Sequence, residues 1–181
     1  MKKSRSGFTI IELLVVVVVI GILAGIVLFS YSSTQARSRD AKRKTDVANI
    51  IKAMELYYSD NGKYPQPAGP TGSAINGSWY VSGDSSWNIF DTTLSGADAI
   101  DSTPVDPRNT PGNTQAANVF SYAVYVNTST YCGAPAGQMY LIIWRYEAAS
   151  KERASEGNCT TNPLGDGYYA GGNSYYRNSK I

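Results

Sequence analysis

Histidine is absent from this chain of 181 residues, and charge of the two signs is nearly balanced. Without histidine, the chain has no Ser–His–Asp triad, no histidine general base and no histidine-ligated metal. Lys and Arg number 16 against 14 Asp and Glu, a formal net charge of +2. Three of the basic residues lie in the first seven positions, so the remainder is close to neutral and unsuited to specific nucleic-acid binding. No phosphate-binding loop or nucleophile–base pair is recognisable, and we expect no enzymatic activity.

Proline is also missing from the first third of the chain, which carries a long apolar run. Between Phe8 and Phe29, only Thr9, Glu12 and two glycines depart from large apolar residues or alanine. As an α-helix, these residues would extend roughly 33 Å, enough to cross a hydrocarbon layer of about 30 Å. The basic residues before the run should keep the N-terminus cytoplasmic and the rest of the chain outside. The run therefore predicts a membrane-spanning helix.

An ordinary cleaved secretory signal is the competing interpretation of this run. Such signals have an apolar stretch of about 7–15 residues that ends at a small-x-small cleavage site. This run is longer, and the site that follows it, at residues 34–36, is a poor match.

Glu12 is the one charged residue in the run, and a carboxylate in a membrane helix requires a reason. An acidic residue at the centre of such a helix costs about 2.5–3.5 kcal/mol, and less near an end. The simplest reason is a position near the headgroups, favoured by the helix dipole. A second reason arises if the chain is cut between Gly7 and Phe8. The new α-amine would then lie about one helical turn before Glu12, and a neighbouring subunit could supply the partner for each charge.

The segment SRSGFTIIELLVVVVVIGILAGI closely resembles the N-terminus of type IV prepilins and type II secretion pseudopilins. The resemblance covers about the first 30 residues. It implies that prepilin peptidase cuts after Gly7, that Phe8 becomes the N-methylated terminus, and that Glu12 pairs with the terminal amine of an adjacent subunit. It also implies four parts: a removed leader (1–7), a hydrophobic transmembrane and assembly helix (8–30), an amphipathic helix (31–61) and a globular head (62–181).

The chain departs from many type IV pilins at Phe29, where they carry a proline. Gly21 and Gly25 instead interrupt the apolar run, and glycine costs about 1 kcal/mol relative to alanine inside a helix. We expect any flexible stretch of an assembled fibre to centre on these glycines. Their small-xxx-small spacing also permits close helix approach.

Helical periodicity continues beyond the apolar run. The apolar stripe from Val47 to Tyr58 recurs at spacings of three and four residues, and Asp60-Asn61-Gly62 indicates a helix end. One continuous helix is therefore predicted from Phe8 to about Ser59. The basic stretch between run and stripe, QARSRDAKRKTD, reads as a solvated face with local pairs such as Asp40–Lys44. Its alternatives are contacts between stacked subunits, anionic headgroups or nucleic acid.

The remaining residues predict a small head with an antiparallel sheet of three or four strands. Val119–Val126 and Met139–Tyr146 have strong strand composition, with weaker strands at Trp79–Val81 and within Tyr168–Tyr176. The stretch Asp98–Pro111 reads as an irregular connection. The fold class is therefore α+β, with a long N-terminal helix whose second half packs on the sheet, as in the pilin head that the resemblance implies.

Two features of the head suggest further chemistry. Outside the cytoplasm, Cys132 and Cys159 should form a disulfide that closes a loop of about 28 residues, worth roughly 3–4 kcal/mol. Asp98, Asp101 and Asp106 are candidate Ca²⁺ ligands, as in a loop of some major pseudopilins, although their spacing matches no EF-hand. Solvation of an irregular loop is the alternative, and no other cofactor is expected.

Three functions remain open. The first is a structural subunit of a type IV pilus-like filament, which serves adhesion, twitching motility or DNA uptake. Its partners would be further copies of itself, minor pilins, prepilin peptidase, the membrane platform and, before assembly, lipid. The second is a pseudopilin of a type II secretion system. The third is a membrane-anchored extracytoplasmic binding domain that never polymerises. In the first two, the protein moves from the inner membrane into an extracellular or periplasmic filament.

Overall fold

The structure, a computed structural model, describes residues 7–66, 75, 77–114, 116–157 and 172–180, and of residues 27–30 the backbone alone. One helix, α1, dominates it and runs without a break over 52 residues, Ile10–Asn61. It ends at Gly62, whose φ of 67° lies in the left-handed region that favours glycine. The Gly62 N–H donates to the Tyr58 carbonyl at 2.8 Å and closes the last turn. The predicted long helix is confirmed.

In its described residues, the head contains a five-stranded sheet and a second helix. Its elements are β1 (Trp79–Val81), α2 (Ser86–Ser95), β2 (Ala123–Val126), β3 (Met139–Trp144), β4 (Arg153–Glu156) and β5 (Ser174–Ser179). The strand order is β1-β2-β3-β5-β4. Neighbouring strands are antiparallel except β4 and β5, which are parallel. The α+β class is confirmed, while the predicted three or four antiparallel strands are corrected to five in a mainly antiparallel sheet.

The predicted strand Val119–Val126 was too long at its start. The residues before Ala123 make hydrogen bonds to loops in place of a neighbouring strand. The Phe120 carbonyl accepts from Thr110 N–H at 2.7 Å, and the Tyr122 N–H donates to the Ser82 hydroxyl at 2.8 Å.

The third and fourth predicted strands are shifted for different reasons. Met139–Tyr146 ends at Trp144, because the chain then turns so that the Glu147 N–H donates to Asp40 on α1. The strand predicted within Tyr168–Tyr176 is observed as Ser174–Ser179, and residues 168–171 lie outside the described part of the chain.

The main core lies between α1 and one face of the sheet. Val47, Ile50 and Met54 are buried on α1, as the stripe predicted. They belong to one cluster with Val124, Ile142 and several aromatic residues of the strands and α2. Burial of each such side chain stabilises the fold by about 1.5–3 kcal/mol. The C-terminal half of α1 is therefore part of the head.

Candidate functional site

The N-terminus of α1 is closed by a capping box. Thr9, the N-cap residue, has extended backbone angles (φ −81°, ψ 155°), and its hydroxyl accepts from the Glu12 N–H at 3.3 Å. In return, Oε2 of Glu12 accepts from both the Thr9 N–H and the Thr9 hydroxyl at 2.8 Å. These bonds satisfy donors that the first turn of a helix leaves unpaired. The Glu12 carboxylate is thereby held at the first turn of the helix.

The structure brings the predicted processing and assembly residues to this same turn. Gly7 and Phe8 immediately precede Thr9, and a Cβ added at Gly7 would meet no atom within 4 Å. The Phe8 side chain is 86% exposed. Residues 1–6 of the predicted leader lie outside the described residues. A chain that begins at Phe8 would carry its amine next to the cap and one turn from Glu12.

The part of the head that the structure describes leaves the apolar run exposed. Its large side chains from Phe8 to Ile26 are between 48% and 86% exposed. Within the described residues, α1 is the one helix long and apolar enough to cross a membrane, by length and composition. Water is an unfavourable environment for so large an apolar surface, which marks membrane or protein interaction sites. The run therefore needs lipid or other helices around it.

Gly21 and Gly25 both lie within the continuous helix α1. A Cβ added at either position would meet no atom within 4 Å. In the isolated chain, neither glycine is needed for internal packing, and their proposed roles in flexibility or close approach concern the assembled state.

A buried cluster of charges joins α1 to the head. The Arg43 side chain is completely buried, and its Nε donates to Asp106 at 2.7 Å while Nη1 contacts Asp40 and Glu147, each at 2.8 Å. The Phe120 ring lies 5.1 Å from the Arg43 guanidinium. Burial alone would lower the pKa of Arg43, but its hydrogen bonds to the carboxylates outweigh burial and raise this pKa above its ordinary value.

Two carboxylates of this cluster, Asp40 on α1 and Glu147 in the head, are held in their charged forms. Burial would raise the pKa of Asp40, but the backbone N–H groups of residues 147–149 and the Arg43 guanidinium lower it below its usual range. The bidentate hydrogen bonds from Arg39, at 2.6 and 2.7 Å, are the main cause of the lowered pKa of Glu147. The cluster therefore holds the turn after β3 against α1.

This cluster corrects the prediction of a solvated basic face. The predicted pair between Asp40 and Lys44 is wrong. Asp40 instead pairs with Arg43 and accepts hydrogen bonds from backbone N–H groups of the head. Lys44 instead contacts Glu152 of the head at 3.1 Å. Local helix pairs do occur, as at Lys42 and Asp46, 2.8 Å apart. Asp46 is itself buried and accepts from the Tyr122 hydroxyl at 2.9 Å, so that this pair also ties the helix to the sheet.

The three aspartates proposed as Ca²⁺ ligands are not brought together as a metal site. Asp106 is buried and both its oxygens are bound by Arg43, at 2.7 and 3.1 Å. Asp98 and Asp101 are exposed. Within the described ranges, no group of three or more His, Cys, Asp or Glu residues is placed to hold a metal ion.

The predicted disulfide falls partly outside the described residues. Cys132 is disulfide-bonded. Cys159 lies in the segment from 158 to 171, which the structure does not describe, so their pairing remains a prediction.

Thr9 was missed at the level of sequence, although its signal was present. Thr-x-x-Glu before an apolar run is the capping-box pattern, and Thr9-Ile10-Ile11-Glu12 matches it. No comparable signal marked Arg43, because its partner Asp106 lies 63 residues away in the chain.

Comparison with known proteins agrees with the N-terminal geometry. Residues 2–28 match the family model described as the prokaryotic N-terminal methylation motif. Type II secretion system core protein G of Aeromonas hydrophila is 34% identical over 64 residues, 35% of this chain and 45% of that protein. Type IV major pilin protein PilA of Myxococcus xanthus is 38% identical over 70 residues, 39% of this chain and 32% of that protein. Fimbrial protein EcpC of Eikenella corrodens is 37% identical over 81 residues, 44% of this chain and 53% of that protein.

These matches span about half or less of the length of each relative. No solved structure matches the chain. The capped and exposed apolar helix, the methylation motif and the similarity to pilins and core protein G agree with one another. In its N-terminal part, the chain is therefore similar to type IV pilins and to core protein G of type II secretion systems.

Proposed function

We propose that this protein is a structural subunit of a type IV pilus-like filament. It is exported as a prepilin, cleaved after Gly7, N-methylated at Phe8 and polymerised through the first half of α1. The observation that carries the proposal is the apolar run, exposed around the helix from Phe8 to Ile26 and joined to a folded head. Before assembly, this run spans the inner membrane with the head outside. In the filament, helices of other subunits replace the lipid.

Glu12 selects the register of assembly in this proposal. A subunit that is out of step would leave a carboxylate and a neighbour's amine unpaired among apolar side chains. The cost of such unpaired buried charges is several kcal/mol. In the isolated chain, the capping box with Thr9 presents this carboxylate at the end of the helix, where an incoming terminal amine would meet it. The carboxylate thus has a local partner before assembly and gains a cationic one afterwards.

Replacement of Glu12 by alanine tests this role. Glu12→Ala should insert in the membrane as the parent protein does, yet yield few filaments in sheared surface material viewed by electron microscopy. Asp101→Ala is the matched control, because it removes an exposed carboxylate from the head and should leave filament yield unchanged. A normal filament yield from Glu12→Ala would count against the registration role.

A type II secretion pseudopilin is the second candidate, and similarity to core protein G of several secretion systems favours it. Deletion of the chain distinguishes the two. Loss of surface fibres with secretion intact supports the pilus subunit, whereas loss of secreted enzymes with fibres intact supports the pseudopilin. We infer no enzymatic role, since the relatives bear the names of filament and secretion components.

A membrane-anchored domain that never polymerises is the remaining alternative. Mass spectrometry of the mature N-terminus tests it directly. Loss of residues 1–7 together with one added methyl group supports the filament subunit. An intact Met1, or a cut after Ala36, supports the anchored domain.

A further inference from the structure

A cleft of roughly 540 Å³ lies where α1 enters the head. One wall is the stretch of α1 from Ser32 to Arg39, and the other comes from head residues that include Arg108 and Arg145. The cleft opens beside the first helical turns after the apolar run. Its position places it on the side of the head that would face a membrane.

The cleft carries an excess of positive charge. Among its lining residues, Arg39, Arg108 and Arg145 are cationic, and Glu147 is the one acidic group. That carboxylate is already shared. It lies 2.6 Å from Arg39, 2.8 Å from the buried Arg43 and 3.7 Å from Arg108. Arg43 is further paired with Asp40 and Asp106, so these four arginines face three carboxylates. Positive charge is therefore in excess around the cleft, which favours the entry of an anion.

The arginines are also held in place, which lowers the entropic cost of binding. Arg108 stacks on Phe120, with its guanidinium carbon 4.2 Å from the ring centroid, and 45% of its side chain is exposed. Arg145 Nη2 donates to the Ala116 carbonyl at 3.1 Å. Burial lowers the pKa of Arg145, the direction expected where a cation is desolvated. A planar guanidinium held in this way favours two-point binding of phosphate oxygens.

The position of the cleft along α1 favours the phosphate of a lipid headgroup over free phosphate. Ser32 and Gln35 follow Phe29, the last residue of the apolar run, by about 4.5 and 9 Å along the helix axis. The headgroup layer on each side of a bilayer is about 5–8 Å thick. When the run spans the hydrocarbon layer, the helix wall of the cleft therefore begins at the level of lipid phosphates.

We propose that this cleft binds the phosphate of an anionic phospholipid headgroup while the subunit is in the membrane. The inference rests on the membrane-inserted stage of the proposed function. The bound headgroup docks the base of the head on the bilayer and fixes its tilt before extraction. Departure of the subunit into a filament then requires release of the lipid, which leaves the cleft open toward neighbouring subunits.

Binding of short-chain lipids to the full-length chain in neutral detergent tests the cleft. The probes are dioctanoyl phosphatidylglycerol, dioctanoyl phosphatidylcholine and inorganic phosphate. We expect phosphatidylglycerol to bind about tenfold more tightly than phosphatidylcholine at low salt, since hydrogen bonds to charged groups are worth about 1.5–3 kcal/mol. Arg108→Gln should remove most of this preference. Arg37→Gln is the matched control, because Arg37 is an exposed arginine of α1 outside the cleft and its loss should leave the preference intact.

A second variant protects the test against a folding defect. Gln35→Glu adds a negative charge to the helix wall of the cleft at an exposed position and should weaken phosphatidylglycerol binding by a similar factor. Equal binding of the two lipids, equal loss in Arg37→Gln, or inorganic phosphate that binds as tightly as phosphatidylglycerol would overturn the proposal. Flotation of the chain with neutral phosphatidylcholine vesicles reports membrane anchoring separately. A chain that does not float contradicts the membrane stage, whatever its headgroup preference in detergent.

Discussion

Arg43 is the residue on which the junction between helix and head depends. It is completely buried and contacts Asp40, Asp106 and Glu147, so its loss would leave three carboxylates without their shared cation. Removal of one partner from a buried ion pair costs about 3–5 kcal/mol, because the remaining charge is left uncompensated.

We therefore expect Arg43→Ala to lower the free energy of unfolding by about 3–5 kcal/mol. The measurement is urea unfolding of the full-length chain in detergent, followed by tryptophan fluorescence. Lys44→Ala is the matched control. It removes the neighbouring cation, whose pair with Glu152 is largely exposed, and should cost less than about 1 kcal/mol. Equal effects of the two substitutions would contradict the assigned role of Arg43.

The carboxylates of the same cluster predict how stability depends on pH. Asp40 and Glu147 have lowered pKa values in the folded protein, so they bind protons less readily than in the unfolded chain. Their contribution to stability is present above their ordinary pKa values of about 4 and is lost as the pH falls through the folded values.

Unfolding in urea should therefore require less denaturant as the pH is lowered from about 5 to 3. The Asp40→Asn variant already lacks one of these charges. Its midpoint urea concentration for unfolding should therefore fall less steeply over that pH range. If the midpoint urea concentration falls equally steeply in Asp40→Asn and in the parent protein, Asp40 does not contribute to the loss of stability at low pH.

Among the elements, α1 combines two kinds of surface in one uninterrupted helix. Its first half has no partner within the described head, and its second half supplies part of the core. The helical hydrogen bonds of the first half should break most readily around Gly21 and Gly25, because glycine loses the most conformational freedom when it enters a helix.

Replacement of both glycines by alanine should stabilise the first half of α1. There is room for each Cβ in the isolated chain. Each substitution should stabilise the helix by about 1 kcal/mol, the difference in helix propensity between glycine and alanine. Amide hydrogen exchange of the chain in micelles is the measurement, and exchange around residues 21–25 should slow about fivefold or more. Unchanged exchange rates would show that this stretch does not open at the glycines.

Sequence patterns predicted those elements whose structure is set locally. The continuity of α1 and its apolar stripe depend on neighbouring residues, and both are confirmed. The helix ends at Asn61, within the predicted stop Asp60-Asn61-Gly62 and two residues beyond the predicted Ser59. The helix α2 was missed, although Trp87, Phe90 and Leu94 have helical spacing and are buried. Strand β4, Arg153–Glu156, offered no signal, because all its residues are exposed and it pairs at the edge of the sheet.

The residues of the candidate site also differ in how far the sequence could predict them. Gly7, Phe8 and Glu12 were predicted from the prepilin-like segment that contains all three, and their roles in cleavage, methylation and assembly stay predictions. The charge cluster was not identified, because Arg39 and Glu147 are 108 residues apart and only the fold brings them together. The basic stretch accordingly resembled a solvated surface until its partners in the head were known.

At the scale of the whole molecule, the charge cluster and the core join the head to the long helix α1. Buried ion pairs, the Asp40 contacts to backbone and the shared apolar core all hold the second half of α1 in the head. In the proposed filament, where the helix would set the position of each subunit and the head would form the outer surface, this junction would carry the register of the helix to the head.

Pairing of Glu12 between subunits is tested by a cryo-electron microscopy map of the polymer that resolves side chains at the start of α1. We expect Phe8 at the mature N-terminus, with its methylated amine within about 4 Å of the Glu12 carboxylate of an adjacent subunit, a charge-paired distance. A map in which Glu12 faces solvent, or lies among apolar side chains with no nitrogen beside it, would show that Glu12 does not pair between subunits.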